Sequence, residues 1–255
     1  MLDLLEMLTV VSGPMRLTEI ARQMGMPKSS TVALVGTLCG RGYLELRGDG
    51  YVIAERYRDG DWIAGEFGLM RRAAQTIMGT LSAQTGESCF LAIAAQDWQV
   101  QYVEKAVSDN PLRYDIALPL LRPAHATSVG LVLLADQPDD VLRRYLNSER
   151  VSKLTEMTVT DPVRLLGDII RVRAQGYATI ASSSVMGASG AAAPIRGSSA
   201  AAIGALCVIA PTARFDSARE RITQHLRDAA QQIGAQLPPH NAPGDAAPRQ
   251  TPWIA

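Results

Sequence analysis

The sequence predicts an α+β protein: an N-terminal winged helix-turn-helix, a long linker helix, and a C-terminal α/β domain with an antiparallel-dominated sheet. Three observations carry this. Leu17–Leu38 has the spacing of two short helices around a glycine turn, and Leu44–Ile53 alternates apolar residues on both sides of Gly48-Asp49-Gly50. Beyond about Thr85, strand-like and helix-like runs segregate instead of alternating strictly. The expected divisions are residues 1–60, 61–86 and 87–237, followed by a tail, 238–255.

Taken in order, Thr18 is expected to cap the first short helix, Gly25 to supply the positive φ of the turn, and Pro27 to lead into the second helix. Ile20, Met24, Met26 and Leu34 would clasp the two helices, Ala21 is small where they cross, and Thr31 stands where a larger apolar residue is usual. Leu44–Ile53 reads as a two-stranded wing. From Asp61 to about Thr85, Trp62, Ile63, Phe67, Met70, Ala74, Ile77, Met78 and Leu81 recur at helical spacing, and Gly86 closes the helix. Met70, Ala74, Ile77 and Met78 form a stripe expected to pack between two copies of the chain.

Strands are then expected at Ser88–Ala95, Val100–Ala106 and Leu112–Leu118, with a turn at Asp97-Trp98. Helices follow at 124–135, 138–146 and 161–175, the last with Thr160 as cap and Pro162 in its first turn. Tyr177–Ser182, Ala191–Ile195 and Ala201–Ile209 read as strands, and Asp216 opens a final helix to about Leu237. The Pro-, Gly-, Ala- and Asn-rich residues beyond it read as a disordered tail.

Composition sets the outer bounds. The chain has 255 residues, 47% hydrophobic and 20% charged, and suits one large or two smaller globular domains. Its formal net charge is zero, so a nucleic-acid partner must be argued from a local surface. Met1–Glu6 is acidic and amphipathic, unlike a signal peptide, and no apolar run reaches spanning length, so a cytoplasmic protein with no membrane partner is expected. Cys39, Cys89 and Cys207 lie far apart without C-x-x-C spacing, and His125, His225 and His240 have no ligand-spaced partner. Neither a metal nor a cofactor is expected.

A winged helix-turn-helix sets the first turn of its second helix in the DNA major groove beside the phosphates. There the free backbone N–H groups, Ser29, Ser30 and the Lys28 ammonium suit phosphate oxygens or base edges of double-stranded operator DNA, with Pro27 fixing the entry. Further along, Val32, Ala33 and Gly36 offer only van der Waals contact, so direct base reading is expected to be sparse. Arg16, Thr18, Arg41 and Arg47 complete the candidate DNA-facing set, with Glu45 and Asp49 interleaved; Arg56 and Arg58 lie similarly among Glu55 and Asp59. An ordinary helical hairpin would account for the two helices but not for the wing.

Four ordered motifs carry a resemblance. Leu17-Thr18-Glu19-Ile20-Ala21 with Gly25-Met26-Pro27-Lys28-Ser29-Ser30 is the first, and Pro123-Ala124-His125-Ala126-Thr127-Ser128-Val129-Gly130 the second. Arg173-Ala174-Gln175-Gly176-Tyr177-Ala178 and Ala192-Ala193-Pro194-Ile195 follow. In these the chain, from Leu2 to about Leu237, resembles the IclR family of bacterial transcriptional regulators. The resemblance implies a winged-helix DNA-binding domain, a linker helix and a GAF-like sensor domain that binds a small metabolite, assembled as a homodimer or dimer of dimers. The implied function is ligand-responsive control of a catabolic operon, with repression favoured over activation.

The departures are informative. Ala33 stands where the family usually has an arginine, and Gly130-Leu131 where it usually has Gly-Lys, so an operator sequence does not carry over. By the same intervals the resemblance implies effector contacts at Arg122, Ser128, Val129, Ile180, Gly190, Cys207 and Ile209. An acidic position has become Ile180, and two serines have become Cys207 and Ile209. The implied pocket is less polar than those taking glyoxylate or pyruvate, and suits a mostly apolar, aromatic or branched acid or amide.

Each residue also has a plainer reading. His125 lacks a paired acid or nucleophile and reads as a core or capping histidine, and Cys207 as a buried small hydrophobe more than a redox sensor. Ser182–Ser184 and Gly187–Gly190 do not make G-x-S-x-G and read as a loop. Arg122 suits a carboxylate or solvent equally. No catalytic residue emerges and the chain is not read as an enzyme. A small hydrolase, and a metabolite sensor with weakened DNA binding that acts through protein partners, are the alternatives.

Overall fold

The computed structural model describes residues 4–5, 7–8, 13–54, 66–197, 201–237 and 253. Glu55, Arg56, Arg58, Asp59, Trp62, Ile63 and the Phe67 side chain lie outside the described residues. The chain divides into two compact units, Met1–Arg72 and Ala73–Ala255.

The first unit holds helices α1 (Leu17–Gln23) and α2 (Lys28–Gly40) and strands β1 (Leu44–Arg47) and β2 (Gly50–Ile53). The strands pair antiparallel, with Leu44 opposite Ile53 and Arg47 opposite Gly50. Met15 adds a bridge outside them, exchanging backbone hydrogen bonds of 3.0 and 2.8 Å with Tyr51. Gly50 permits this closeness, since a Cβ there would stand 2.8 Å from the Cβ of Pro14. Gly25 turns the chain between the helices at φ 60°. Ile20, Val35, Leu38, Leu44 and Ile53 form the core with Leu4, Leu5, Leu8 and Met15.

One local expectation is corrected. Thr18 is not the cap: the cap is Arg16, two residues earlier, and its N–H donates to the Glu19 carboxylate at 3.0 Å, half of a capping box. Pro27 stands just before α2, and its carbonyl accepts both the N–H of Thr31 (3.0 Å) and its hydroxyl (3.1 Å). That second bond explains a threonine in an apolar position: fully buried, it fills the space with its methyl and satisfies its oxygen locally.

Helix α3 spans Glu66–Thr85 and ends where Gly86, at φ 73°, donates its N–H to Ser82 at 2.8 Å. Met70, Ala74, Met78 and Leu81 are buried within the chain itself and Ile77 is half-buried. Most of the stripe expected to meet a second copy is therefore already covered; among the described residues the exposed positions of the helix include Leu69, Gln75, Thr76, Gly79, Thr80 and Ala83.

The second unit holds β3 (Ser88–Ala95), β4 (Gln99–Ala106), β5 (Leu120–Pro123), α4 (Ser128–Ala135), α5 (Asp139–Leu146), α6 (Pro162–Gln175), β6 (Ala178–Ala181), β7 (Ala188–Arg196), β8 (Ala202–Pro211) and α7 (Thr212–Ala235). Its six strands lie in the order β5-β4-β3-β8-β7-β6, every neighbouring pair antiparallel. Strands β7 and β8 are buried along most of their length, with α4 and α7 packed on them. Every residue of α4 is buried. The start of α7 is latched to β3 by Arg214, whose Nε and Nη2 lie 2.6 and 2.8 Å from the carboxylate of buried Glu87.

Several boundaries move. Leu112–Leu118 is not a strand; it lies between Pro111 and Pro119, which have no N–H to give a ladder, and the edge strand is β5 just beyond. Ala124–Ala126 is a separate 3-10 turn, and Thr127 caps α4 by accepting the Gly130 N–H at 2.9 Å. Asp161, not Thr160, caps α6, accepting the Arg164 N–H at 2.8 Å. Helix α7 opens at Thr212, because Pro211 ends the strand and presets the helical entry; Asp216 lies a turn inside and pairs with Arg219. Of the tail expected after Leu237, only Trp253 is among the described residues, and it is buried.

Candidate DNA interface and effector pocket

The first turn of α2 presents Lys28, Ser29 and Ser30 to solvent, and Val32, Ala33 and Gly36 continue the exposed face, Val32 at 52% exposure. The exposed valine beside small residues leaves a smooth helical flank with no hydrogen-bonding side chain at these three positions. Among the described residues no carboxylate pairs with Lys28 or Arg41. Thr18 is exposed in the first turn of α1, and Arg47 at the end of β1. Arg16 is placed differently from the expectation of a free phosphate contact: its Nε and Nη2 lie 2.7 and 2.6 Å from Oδ2 of Asp49 at the wing tip.

In the second unit, a narrow cavity of about 30 Å³ is lined by Arg122, Ser128, Ile180, Gly190 and Ile209, five positions that the resemblance brings forward. The other two do not reach it. Val129 and Cys207 are fully buried; Val129 is the second residue of the core helix α4, and Cys207 sits in the centre of β8 beside Phe90 and Ala192. Burial pushes the Cys207 thiol well above its usual range, so it stays a neutral apolar group.

Sequence reasoning missed the aromatic half of the cavity. Tyr102 on β4 and Tyr114 in the segment before β5 line it, each meeting Phe90 edge-on at 5.9 Å between ring centres. Burial raises both phenols above their ordinary pKa, against the lowering effect of Arg122 nearby, so both remain protonated donors. Thr127, Ser184 and Ser189 add hydroxyls. The wall is thus more polar than the isoleucine replacements implied. The signal available was the alternation in Gln99–Ala106, which turns Val100 and Tyr102 inward together.

Arg122 on β5 is half-buried at this cavity, and among the described residues no carboxylate pairs with it. Gly190 forms part of the floor where strands crowd: a Cβ there would lie 3.0 Å from the Val208 carbonyl oxygen, 3.3 Å from Ile209 and 3.7 Å from the Ser128 hydroxyl. The rim beyond Ile180 is held by hydroxyls, with Thr155 Oγ1 donating to Ser182 O at 2.7 Å and Thr158 Oγ1 to Ser183 O at 2.7 Å. Ile180 also lines a second, outer cleft of about 300 Å³ that runs along α6 past Asp168 and Arg171.

His125 is structural. The Tyr145 hydroxyl accepts its backbone N–H at 3.1 Å and meets Nδ1 at 3.0 Å, so the phenol donates to Nδ1 and the ring hydrogen sits on Nε2, 2.8 Å from Ser152 O. Burial holds its pKa below the usual imidazole value, and the ring is neutral near pH 7. Among the described residues no group of three His, Cys, Asp or Glu could hold a metal ion, and no helix is long and apolar enough to cross a membrane.

This pairing of a winged two-helix unit with an antiparallel sensor-like sheet has known counterparts. Residues 1–48 match the IclR helix-turn-helix domain, and residues 69–235 match the C-terminal domain of the bacterial transcriptional regulator IclR. The chain belongs to the IclR family of bacterial transcriptional regulators. It is similar to the HTH-type transcriptional regulator BhcR of Paracoccus denitrificans, 30% identical over 96% of this chain and 88% of that protein. It is similar also to the transcriptional repressor IclR of Escherichia coli, 24% identical over 69% of this chain and 65% of the relative. Among solved structures, an IclR homolog from Microbacterium hydrocarbonoxydans complexed with 4-hydroxybenzoate superposes with a TM-score of 0.60 at 26% identity, covering 92% of this chain and 95% of that one. An IclR-family chain is a DNA-binding transcriptional regulator with an effector-binding domain, and not an enzyme, which removes the hydrolase alternative.

Proposed function

We propose that the protein is a ligand-responsive repressor of a catabolic operon, working as a homodimer or dimer of dimers, whose effector is a small aromatic or branched carboxylic acid. The observation that carries the effector class is Arg122: a half-buried guanidinium at a narrow cavity walled by Tyr102, Tyr114, Ile180 and Ile209, without a carboxylate of its own chain among the described residues. Arg122 Nη1 donates to Leu121 O at 3.2 Å, and its remaining N–H groups can pair with a ligand carboxylate. Ile180, Ile209, Val185 and Ala188 then receive an apolar body, at roughly 25 cal/mol per Å² buried. The Microbacterium homolog complexed with 4-hydroxybenzoate supports the same class, and the Escherichia coli relative named a repressor supports the direction of control.

Operator binding rests on the exposed first turn of α2, with Lys28, Ser29, Ser30 and the helix N–H groups on phosphates and Val32 and Ala33 against the groove. Half-sites are related by the two-fold symmetry of the dimer. Isothermal titration with benzoate-like and pyruvate-like acids, alongside a promoter-reporter assay, tests the reading. Saturable binding of an aromatic or branched acid that releases operator DNA is expected. Tight binding of pyruvate or glyoxylate, with none for aromatic acids, would overturn the effector class.

A further inference from the structure

The turn between β3 and β4 is built against preference. Asp97 and Trp98 stand at φ 57° and 59°, a left-handed conformation uncommon for any side chain and rare for one as bulky as tryptophan. Such a conformation persists only where its surroundings fix it. Here Arg150 Nη1 holds the Asp97 carboxylate at 2.5 Å, and the Trp98 ring lies on Tyr145, 4.4 Å between centres at an interplanar angle of 14°. The turn therefore presents an indole, braced from behind, at a surface cavity flanked by Arg144 and Arg150.

Trp253 forms the facing wall of that cavity: its ring stacks with Trp98 at 5.5 Å and 20°, and only 4% of it is exposed. Tyr145 in turn carries the His125 backbone N–H and ring on its hydroxyl, and His125 stands two residues before the cap of α4. We propose that the Trp98–Tyr145 slot is a binding site for an indole side chain, filled by Trp253 of the chain's own C-terminus. Docking steadies the Tyr145–His125 link on which the first turn of α4 rests.

The full-length chain tests this without any effector, so the result stands apart from the identity of the pocket's ligand. Two stacked indoles give an exciton couplet in far-ultraviolet circular dichroism, which requires both rings. The couplet is expected in the native protein and lost alike in Trp98→Phe and Trp253→Phe. Amide hydrogen exchange in the peptide containing His125 is expected to accelerate several-fold in Trp253→Ser and to stay near native in Trp253→Phe, which keeps a ring in the slot. Absence of the couplet from the native protein, or unchanged exchange in Trp253→Ser, overturns the proposal. So does a couplet regained when Trp98→Phe and Trp253→Phe chains are mixed and re-equilibrated, since that outcome seats the indole on a second copy.

Discussion

Arg16 and Asp49 close the winged unit on itself: two guanidinium nitrogens within 2.7 Å of one carboxylate oxygen tie the entry of α1 to the tip of the wing. Both side chains are well exposed, so the pair contributes less than about 1 kcal/mol to stability and is screened by salt. Its larger effect is on charge facing DNA. Asp49→Asn is expected to free Arg16 and remove a negative charge from the wing, tightening DNA binding with little change in melting temperature. Fluorescence anisotropy across a salt series reads this, and weaker binding would show that Asp49 orients the arginine productively.

Lys28 is expected to act as a phosphate anchor. Lys28→Ala should weaken operator and random DNA by similar factors, on the order of tenfold, and reduce the salt slope by about one. A loss confined to operator DNA would instead make Lys28 a base-reading residue.

Periodicity made the two-helix unit, the wing and the sheet-bearing half legible, because each rests on a local pattern of burial. Capping was less legible: Thr18 and Thr160 look like caps by residue type, yet the carboxylates of Glu19 and Asp161 accept the N–H groups of Arg16 and Arg164 at the helix starts, with charge assistance. At the pocket, Arg122, Ser128, Ile180, Gly190 and Ile209 come from the family resemblance carried over at matching intervals. Tyr102 and Tyr114 do not, because only the long-range pairing of β4 with β3 and β5 brings them there.

Two glycines separate pocket shape from folding. A Cβ on Gly130 would lie 2.0 Å from the Ala124 carbonyl oxygen, so Gly130→Ala is expected to cost on the order of 2–3 kcal/mol and lower the melting temperature. At Gly190 the contacts are 3.0 Å and longer, and Gly190→Ala is expected to weaken effector binding while the chain stays folded. Titration calorimetry beside differential scanning calorimetry distinguishes the two, and a Gly190→Ala protein with native effector affinity would remove Gly190 from the site.

His125 predicts a pH dependence with a definite sign. Its folded pKa lies below the unfolded value near 6.5, so the unfolded chain takes up the proton first. The stability associated with the neutral ring is complete above pH 6.5 and declines as pH falls through the folded pKa. Urea unfolding at several pH values between about 7 and 5 should show this decline, and His125→Gln should flatten it. An equal slope in the variant would assign the loss to other groups.

Ile180 belongs at once to the inner cavity and to the outer cleft along α6, and it stands on β6, the last strand of the sheet. Among the described residues Ile180 is the side chain that lines both spaces. Trimming it to valine or alanine is expected to extend the inner cavity outward toward Asp168 and Arg171 while leaving Arg122, across the sheet on β5, where it is. If the effector is the acid proposed above, length and charge would then be read by separate residues on opposite edges, and a lineage of such regulators could move from short to elongated acids without changing Arg122.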